Sequence, residues 1–197
     1  LNRELARKNL DRTLSDKIFV AAILGGILGS KIFHLLENPN LVVQDPIGMI
    51  FSRYGLAFYG GFIGGAATVS LTLYLHGYLN LNIFDAVTPS LTAGYFFGRC
   101  GCQLSGDGCY GVPTTLPFGM SYPKGTIPTL LAVHPTPLYE MLGMAILFGV
   151  LWNLRTRIQR PGILFCLYLI IAGTARFAVE FLRLTPEIAF GLTIHQW

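Results

Sequence analysis

The chain has 197 residues, of which 52% are hydrophobic and only 12% charged, and its mean hydropathy is +0.54. Soluble domains carry charge at about 25%, so this composition excludes a disordered tail, a coiled coil and an ordinary cytosolic enzyme and points to lipid as the solvent. The net charge of +4 forms no basic stripe, and no nucleic-acid partner is expected.

In chain order, residues 1–17 are a polar tail bearing Arg3, Arg7, Lys8, Arg12 and Lys17. Ile18–Leu36 is apolar except for Lys31 and His34 near its end. About 20 apolar residues cross a bilayer, so this run predicts a first span. Gly55–Leu79 predicts a second, Leu81–Gly98 a shorter third that holds Asp85, Pro137–Leu154 a fourth with Glu140 at its mouth, and Gly162–Leu182 a fifth that carries Arg176 and Glu180. Backbone in hydrocarbon must satisfy its own hydrogen bonds, so the spans are read as helices. The expected fold class is all-α: one transmembrane helical bundle over residues 1–197 with about five spans.

Lysine and arginine set the orientation. The tail has five, and the 155–160 connection has Arg155, Arg157 and Arg160. Loop 37–54 has only Arg53, and the Gly/Pro-rich loop 99–136 has Arg99 and Lys124. Residues 1–17 and 155–160 therefore face the cytoplasm, and both long loops lie outside. Five crossings make that count self-consistent.

Inside the spans, the spacings Gly25-x-x-x-Gly29 and Gly61-x-x-x-Gly65 each put small residues on one helical face for close packing. Gly60 and Gly61, beside Tyr59, are instead candidates for substrate approach to bare backbone. An ionisable group at a helix centre costs roughly 2.5–3.5 kcal/mol on insertion, so it asks for a partner or a function. Arg176, Glu180 and Arg183 share a face at i, i+4, i+7, and Glu180 can pair with either arginine. Asp85 reads as an interfacial helix cap.

Five glycines between Gly98 and Gly111 predict a tightly turning loop that presents Arg99, Ser105 and Asp107. Arg99 and Arg176 at one depth would clamp a phosphate, because guanidinium binds phosphate in bidentate fashion and stays charged when poorly solvated. The segment His134-Pro135-Thr136-Pro137-Leu138-Tyr139-Glu140 adds a boundary histidine, either a base or a hydrogen-bonded structural group. Of the four cysteines, Cys100, Cys102 and Cys109 cluster and Cys166 stands alone. With His134 the three offer a metal quartet, but structural zinc favours C-x₂₋₄-C spacing twice. No metal or cofactor is expected. A disulfide from Cys109 to Cys100 or Cys102 in an oxidising outer compartment is the alternative.

Four segments together resemble the bacterial prolipoprotein diacylglyceryl transferase family. Gly98-Arg99-Cys100-Gly101-Cys102 through Gly111 is similar to its G-R-x-G-N…N-G-E…G signature, and His134–Glu140 to its H-P-[ST]-Q-L-Y-E. Arg176–Arg183 is similar to its R-F-x-x-E-F-F-R, and Gly191–Trp197 to its G-L-T-x-x-Q-W. The family's signature Asn falls on Cys102, its second Asn on Ser105, its Glu on Asp107, and its His before the double glycine on Tyr59.

The resemblance implies an inner-membrane enzyme of seven spans, with this chain matching the middle five and the site toward the outer leaflet. It implies transfer of a diacylglyceryl group from phosphatidylglycerol to the lipobox cysteine of a prolipoprotein, forming a thioether and releasing glycerol phosphate. On that reading Arg99 and Arg176 hold phosphate, Glu180 orients Arg176, His134 is the candidate base and Tyr59 donates to the lipid. Gly60, Gly61, Ser105, Asp107, Tyr139, Glu140 and Arg183 shape the substrate site. Two variants stay open: Cys102 as a covalent nucleophile, and a non-catalytic protein that binds or translocates phospholipid on the same scaffold.

Overall fold

The computed structural model describes residues 1–52 and 57–184, together with the strand backbone of Glu187–Ala189 and Leu192–Thr193. Arg53, Gly55 and the segment Ile194–Trp197 lie outside the described residues, as does Gly191. The chain divides into two compact units, Leu1–Ile83 and Phe84–Trp197.

In the first unit, α1 (Asn2–Arg7) folds part of the polar tail. Leu5 is fully buried, and the buried Glu4 pairs with Arg7 at 2.8 Å. α2 (Leu14–Glu37) begins one turn before the predicted apolar run, because Leu14 is buried with Ile18. The 37–54 segment is not bare loop: α3 (Pro39–Gln44) and α4 (Pro46–Phe51) occupy it. Proline opens each, its missing N–H costing nothing in a first turn, and the Asp45 carboxylate accepts from Gly48 N–H at 2.9 Å.

α5 (Phe58–Leu75) packs along α2. The glycines that touch are Gly25 and Gly29 against Gly60 and Gly64. A Cβ on Gly29 would overlap Gly60 O and Gly64 Cα, and one on Gly60 would overlap Phe33 Cβ and Gly29 O. The tight face of α5 is thus Gly60-x-x-x-Gly64, one residue off the predicted Gly61-x-x-x-Gly65. Gly65 is in ordinary contact with Ala22 O, at 3.5 Å from a Cβ position. Thr68 Oγ1 ties the pair by donating to Ala21 O at 2.8 Å.

In the second unit, α6 (Leu81–Ser105, whose first residues belong to the first unit) runs seven residues past the predicted span. Arg99–Ser105 is helix rather than loop. Gly98 and Gly101 sit in it with open space around them, and the chain turns only where Gly106 (φ 57°) and Gly108 (φ 83°) take the left-handed conformation. A hairpin follows, β1 (Met120–Tyr122) antiparallel to β2 (Thr129–Val133). The 106–135 segment therefore contains β structure that the all-α reading did not anticipate. The chain then enters α7 (Thr136–Leu154) and α8 (Ile163–Glu180), and β3 (Glu187–Ala189) pairs with β4 (Leu192–Thr193).

Met144, Leu147 and Leu151 recur at i, i+3, i+7 on α7 and bury against Leu164 of α8, flanked by Tyr95, Phe96 and Tyr168. The outward faces remain apolar: Leu142, Ile146 and Ile170 are each at least 60% exposed. Among the described residues, four helices, α2, α5, α7 and α8, are long and apolar enough to cross a membrane. Asp85 is a cap, though not of its own helix. Buried on α6, it accepts from Gly162 N–H (2.9 Å) and Phe165 N–H (3.0 Å) at the start of α8.

Candidate functional site

Three helix ends converge on four charges. Arg99 lies near the C-terminal end of α6, Glu140 near the start of α7, and Arg176 and Glu180 in the last turns of α8. Glu140 is the bridge: one carboxylate oxygen pairs with Arg99 Nε and the other faces Arg176 Nη1 at 3.5 Å. Arg176 Nη1 also pairs with Glu180 at 2.5 Å. The Glu180 and Glu140 side chains are buried, while the arginines keep 16% and 20% of their surface open. Helix electrostatics favour Glu140 near the N-terminus of α7 and Arg176 near the C-terminus of α8, whereas Glu180, at that same C-terminus, is held by Arg176.

The sequence pattern assigns Glu180 to either neighbouring arginine, and the structure gives it Arg176. It also treats Glu140 as part of a headgroup site, whereas the structure uses it to link the two arginines. With two arginines and two carboxylates the assembly is neutral. Each guanidinium nonetheless has five N–H donors in a fixed fork, more than one carboxylate oxygen can use. Tyr95, one turn before Arg99, was missed. Its ring lies 5.2 Å beneath the guanidinium, and its hydroxyl accepts from Arg99 Nη2 at 3.4 Å. The i, i+4 Tyr–Arg spacing on one helix is the signal that could have found it.

His134 and Arg183 are placed by backbone pairing. Gly111 N–H donates to His134 O (2.8 Å), His134 N–H to Val112 O (3.1 Å) and Val112 N–H to Leu182 O (2.9 Å), and Gly111 bridges Arg183. A Cβ on Gly111 would overlap Leu182 O, so glycine is what lets these segments meet. His134 Nδ1 lies 3.0 Å from the Tyr139 hydroxyl, which fixes the imidazole. Ser105 is exposed and hydrogen-bonds to Cys102 O and, through its own carbonyl, Thr126.

Asp107 sits in the Gly106–Gly108 turn with Cys102 and Cys109 around it. Burial pushes its carboxyl up, but hydrogen bonds from the Cys109 and Cys102 thiols and from backbone N–H outweigh this and hold it below the ordinary value. Burial and Asp107 push the Cys109 thiol up. All four cysteines are free thiols. Tyr59, Gly60 and Gly61 belong to the first unit. Tyr59 is 41% exposed, with its ring edge-on to Phe58, while Gly60 is buried against α2. The packing of Gly60 is what the structure displays, in place of bare backbone open to a substrate.

Over residues 1–197 the sequence matches the family described as prolipoprotein diacylglyceryl transferase. It is 36% identical over 177 residues to the phosphatidylglycerol–prolipoprotein diacylglyceryl transferase of Clostridium tetani, covering 87% of this chain and 70% of that one. It is 36% identical over 184 residues to the protein of that name numbered 2 in Clostridium perfringens, covering 90% and 71%. To the Leptospira interrogans protein it is 33% identical over 218 residues, covering 95% and 67%.

Proposed function

The chain belongs to the prolipoprotein diacylglyceryl transferase family, and on that premise we propose that it moves a diacylglyceryl group from phosphatidylglycerol to a prolipoprotein lipobox cysteine. The acceptor sulfur attacks the glyceryl carbon that bears phosphate, the carbon–oxygen bond breaks, and glycerol phosphate leaves. The thiol proton passes to a base. The single observation that carries this reading is the arginine pair held by Glu140.

The phosphodiester enters with one negative charge, and the leaving phosphate gathers a second. Arg99 and Arg176, held by Glu140, Glu180 and Tyr95, are preorganised donors where that charge develops. Glu140 and Glu180 keep the resting site neutral. His134, oriented by Tyr139, is the base candidate within this unit. Arg183, Ser105 and Asp107 line the outer approach, and Tyr59 donates to the lipid.

The topology proposed is five crossings in a bacterial inner membrane, with residues 1–17 cytoplasmic and the site toward the outer leaflet. At 1.5 Å per residue α6 is about 37 Å long, enough to cross. Asp85 at its start meets the start of α8, and Arg99 near its end meets Glu140 and, through it, the end of α8. α6 therefore runs alongside α8 over the same thickness. These meetings support α6 as a membrane span despite its polar residues.

The test is reconstitution in phosphatidylglycerol vesicles with a lipobox peptide, following both lipidated peptide and released glycerol phosphate. Arg99→Ala and Arg176→Ala are each expected to slow transfer by on the order of 100-fold. Full activity in both would remove the arginine pair from the mechanism. Lipid binding with neither product would establish the non-catalytic alternative.

A further inference from the structure

Cys102 lies in the last turn of α6, the chain reverses through Gly106 and Gly108, and Cys109 returns beside Cys102 with Asp107 between them. One ligand atom from each of the three lies within 4.8 Å of the others, and all three residues are half-buried. The turn is held from several sides. Thr126 N–H donates to Ser105 O (2.8 Å), Ile127 N–H to Gly106 O (2.9 Å) and Thr136 Oγ1 to Cys109 O. A Cβ on Gly106 would meet Gly125, and one on Gly108 would meet Ile127. The trio is thus set in a packed frame.

We propose that Cys102, Asp107 and Cys109 bind one divalent cation of the zinc class and leave its fourth tetrahedral position open to an external thiol. With zinc–sulfur bonds near 2.3 Å, tetrahedral ligands lie about 3.8 Å apart, inside the 4.8 Å within which the three ligand atoms already lie. The charge balance is specific. The resting trio holds one carboxylate and two thiols, net −1. A dication releases the two thiol protons to solvent and binds two thiolates and the carboxylate, again net −1. Arg99 Nη1, 3.9 Å from each sulfur, meets the same charge either way. A structural disulfide would use the two sulfurs and leave the carboxylate without a task. His134 and Cys100, the other members of the sequence quartet, are not in the cluster.

The open position rests on the transfer reading, because that reaction needs its acceptor thiol deprotonated. A free cysteine has a pKa near 8.5, and a thiol that coordinates a metal loses its proton outright, here to the base of the transfer reaction. Three protein ligands with one position free is the pattern of a reactive rather than a structural zinc site.

Cobalt(II) added to reduced, metal-free full-length protein in detergent reads the site directly. One equivalent is expected to produce a sulfur-to-cobalt charge-transfer band, which zinc removes. Cys100→Ser and Cys166→Ser keep the band. Cys109→Ser abolishes it, and Asp107→Asn, which preserves shape, weakens binding at least tenfold. Helical circular dichroism confirms that each variant is folded. The metal site is overturned if the wild type gives no thiolate band, or if the band survives in a Cys102→Ser/Cys109→Ser double variant. A lipobox peptide should then raise the band by about half, as two sulfur ligands become three, and its serine analogue should not. An unchanged band with bound cobalt overturns the open position. Cobalt and peptide binding without transfer counts against the enzyme reading and leaves the site standing.

Discussion

The two units solve the problem of helix association in lipid in opposite ways. In the first, α2 and α5 meet through Gly25, Gly29, Gly60 and Gly64, where the backbones themselves touch and no charge is involved. In the second, the ends of α6, α7 and α8 meet through Arg99, Glu140, Arg176 and Glu180, where buried charges replace close backbone contact. Lipid tails are as apolar as leucine, so apolar burial gives helices little reason to associate there. What remains is dense packing or polar pairing. The difference teaches that packing tolerates no added atoms and pairing tolerates no lost partner. A glycine interface has no chemistry to offer. A charge network held near neutrality keeps donors ready for an arriving anion.

Substitutions that break one principle and spare the other sharpen this contrast. The largest effect is expected at Glu140. Glu140→Gln leaves Arg99 without its carboxylate inside a protein interior, at a cost of about 3–5 kcal/mol, read as a lowered unfolding midpoint in detergent. Glu180→Gln should cost less, because Arg176 retains Glu140. Gly64→Ala comes next, at about 3 kcal/mol, because its Cβ would strike Gly25 O and Gly29 Cα, which cannot rotate away. The same measurement should show Gly61→Ala milder, since the neighbour it meets first is the Ser30 hydroxyl.

Asp85→Ala removes the acceptor of two backbone N–H groups at the start of α8 and should cost about 2 kcal/mol. Amide exchange at Gly162 and Phe165 would report it locally. Thr68→Val deletes the bond to Ala21 O and should cost about 1 kcal/mol. The smallest change runs the other way. Gly149 faces open space on α7, and Gly149→Ala should be neutral or stabilise by up to about 1 kcal/mol. An equal penalty at Gly149 and Gly64 would mean that glycine acts here through helix propensity and not through contact.

What was readable in the sequence follows from local physics. Continuous apolar runs mark α2, α5, α7 and α8 to within about a turn at most ends, because covering the backbone in lipid is a property of each segment alone. The i, i+4 pair Arg176–Glu180 is likewise local, since both residues lie on one helix face. Long-range partners were not readable. Glu140 stands 41 residues beyond Arg99 in the chain and 36 before Arg176, and only the docking of three helix ends selects it over Glu180 as the bridge. The glycine register was off by one position because two small-residue stripes on one helix are equally good until a partner helix chooses between them.

The chain by itself determined that lipid is its solvent, where its apolar helices run and which charged side chains they must accommodate. Hydropathy and helical spacing act over a few turns, and four motifs in order carry the family. Tertiary structure alone decided that α6 extends to Ser105 before Gly106 turns it. It also decided that Asp107, and not Cys100 or His134, joins Cys102 and Cys109, and that Glu140 holds two arginines together. Each of these depends on which atoms meet after distant segments have packed, and a contact of that kind leaves no period in the sequence to read.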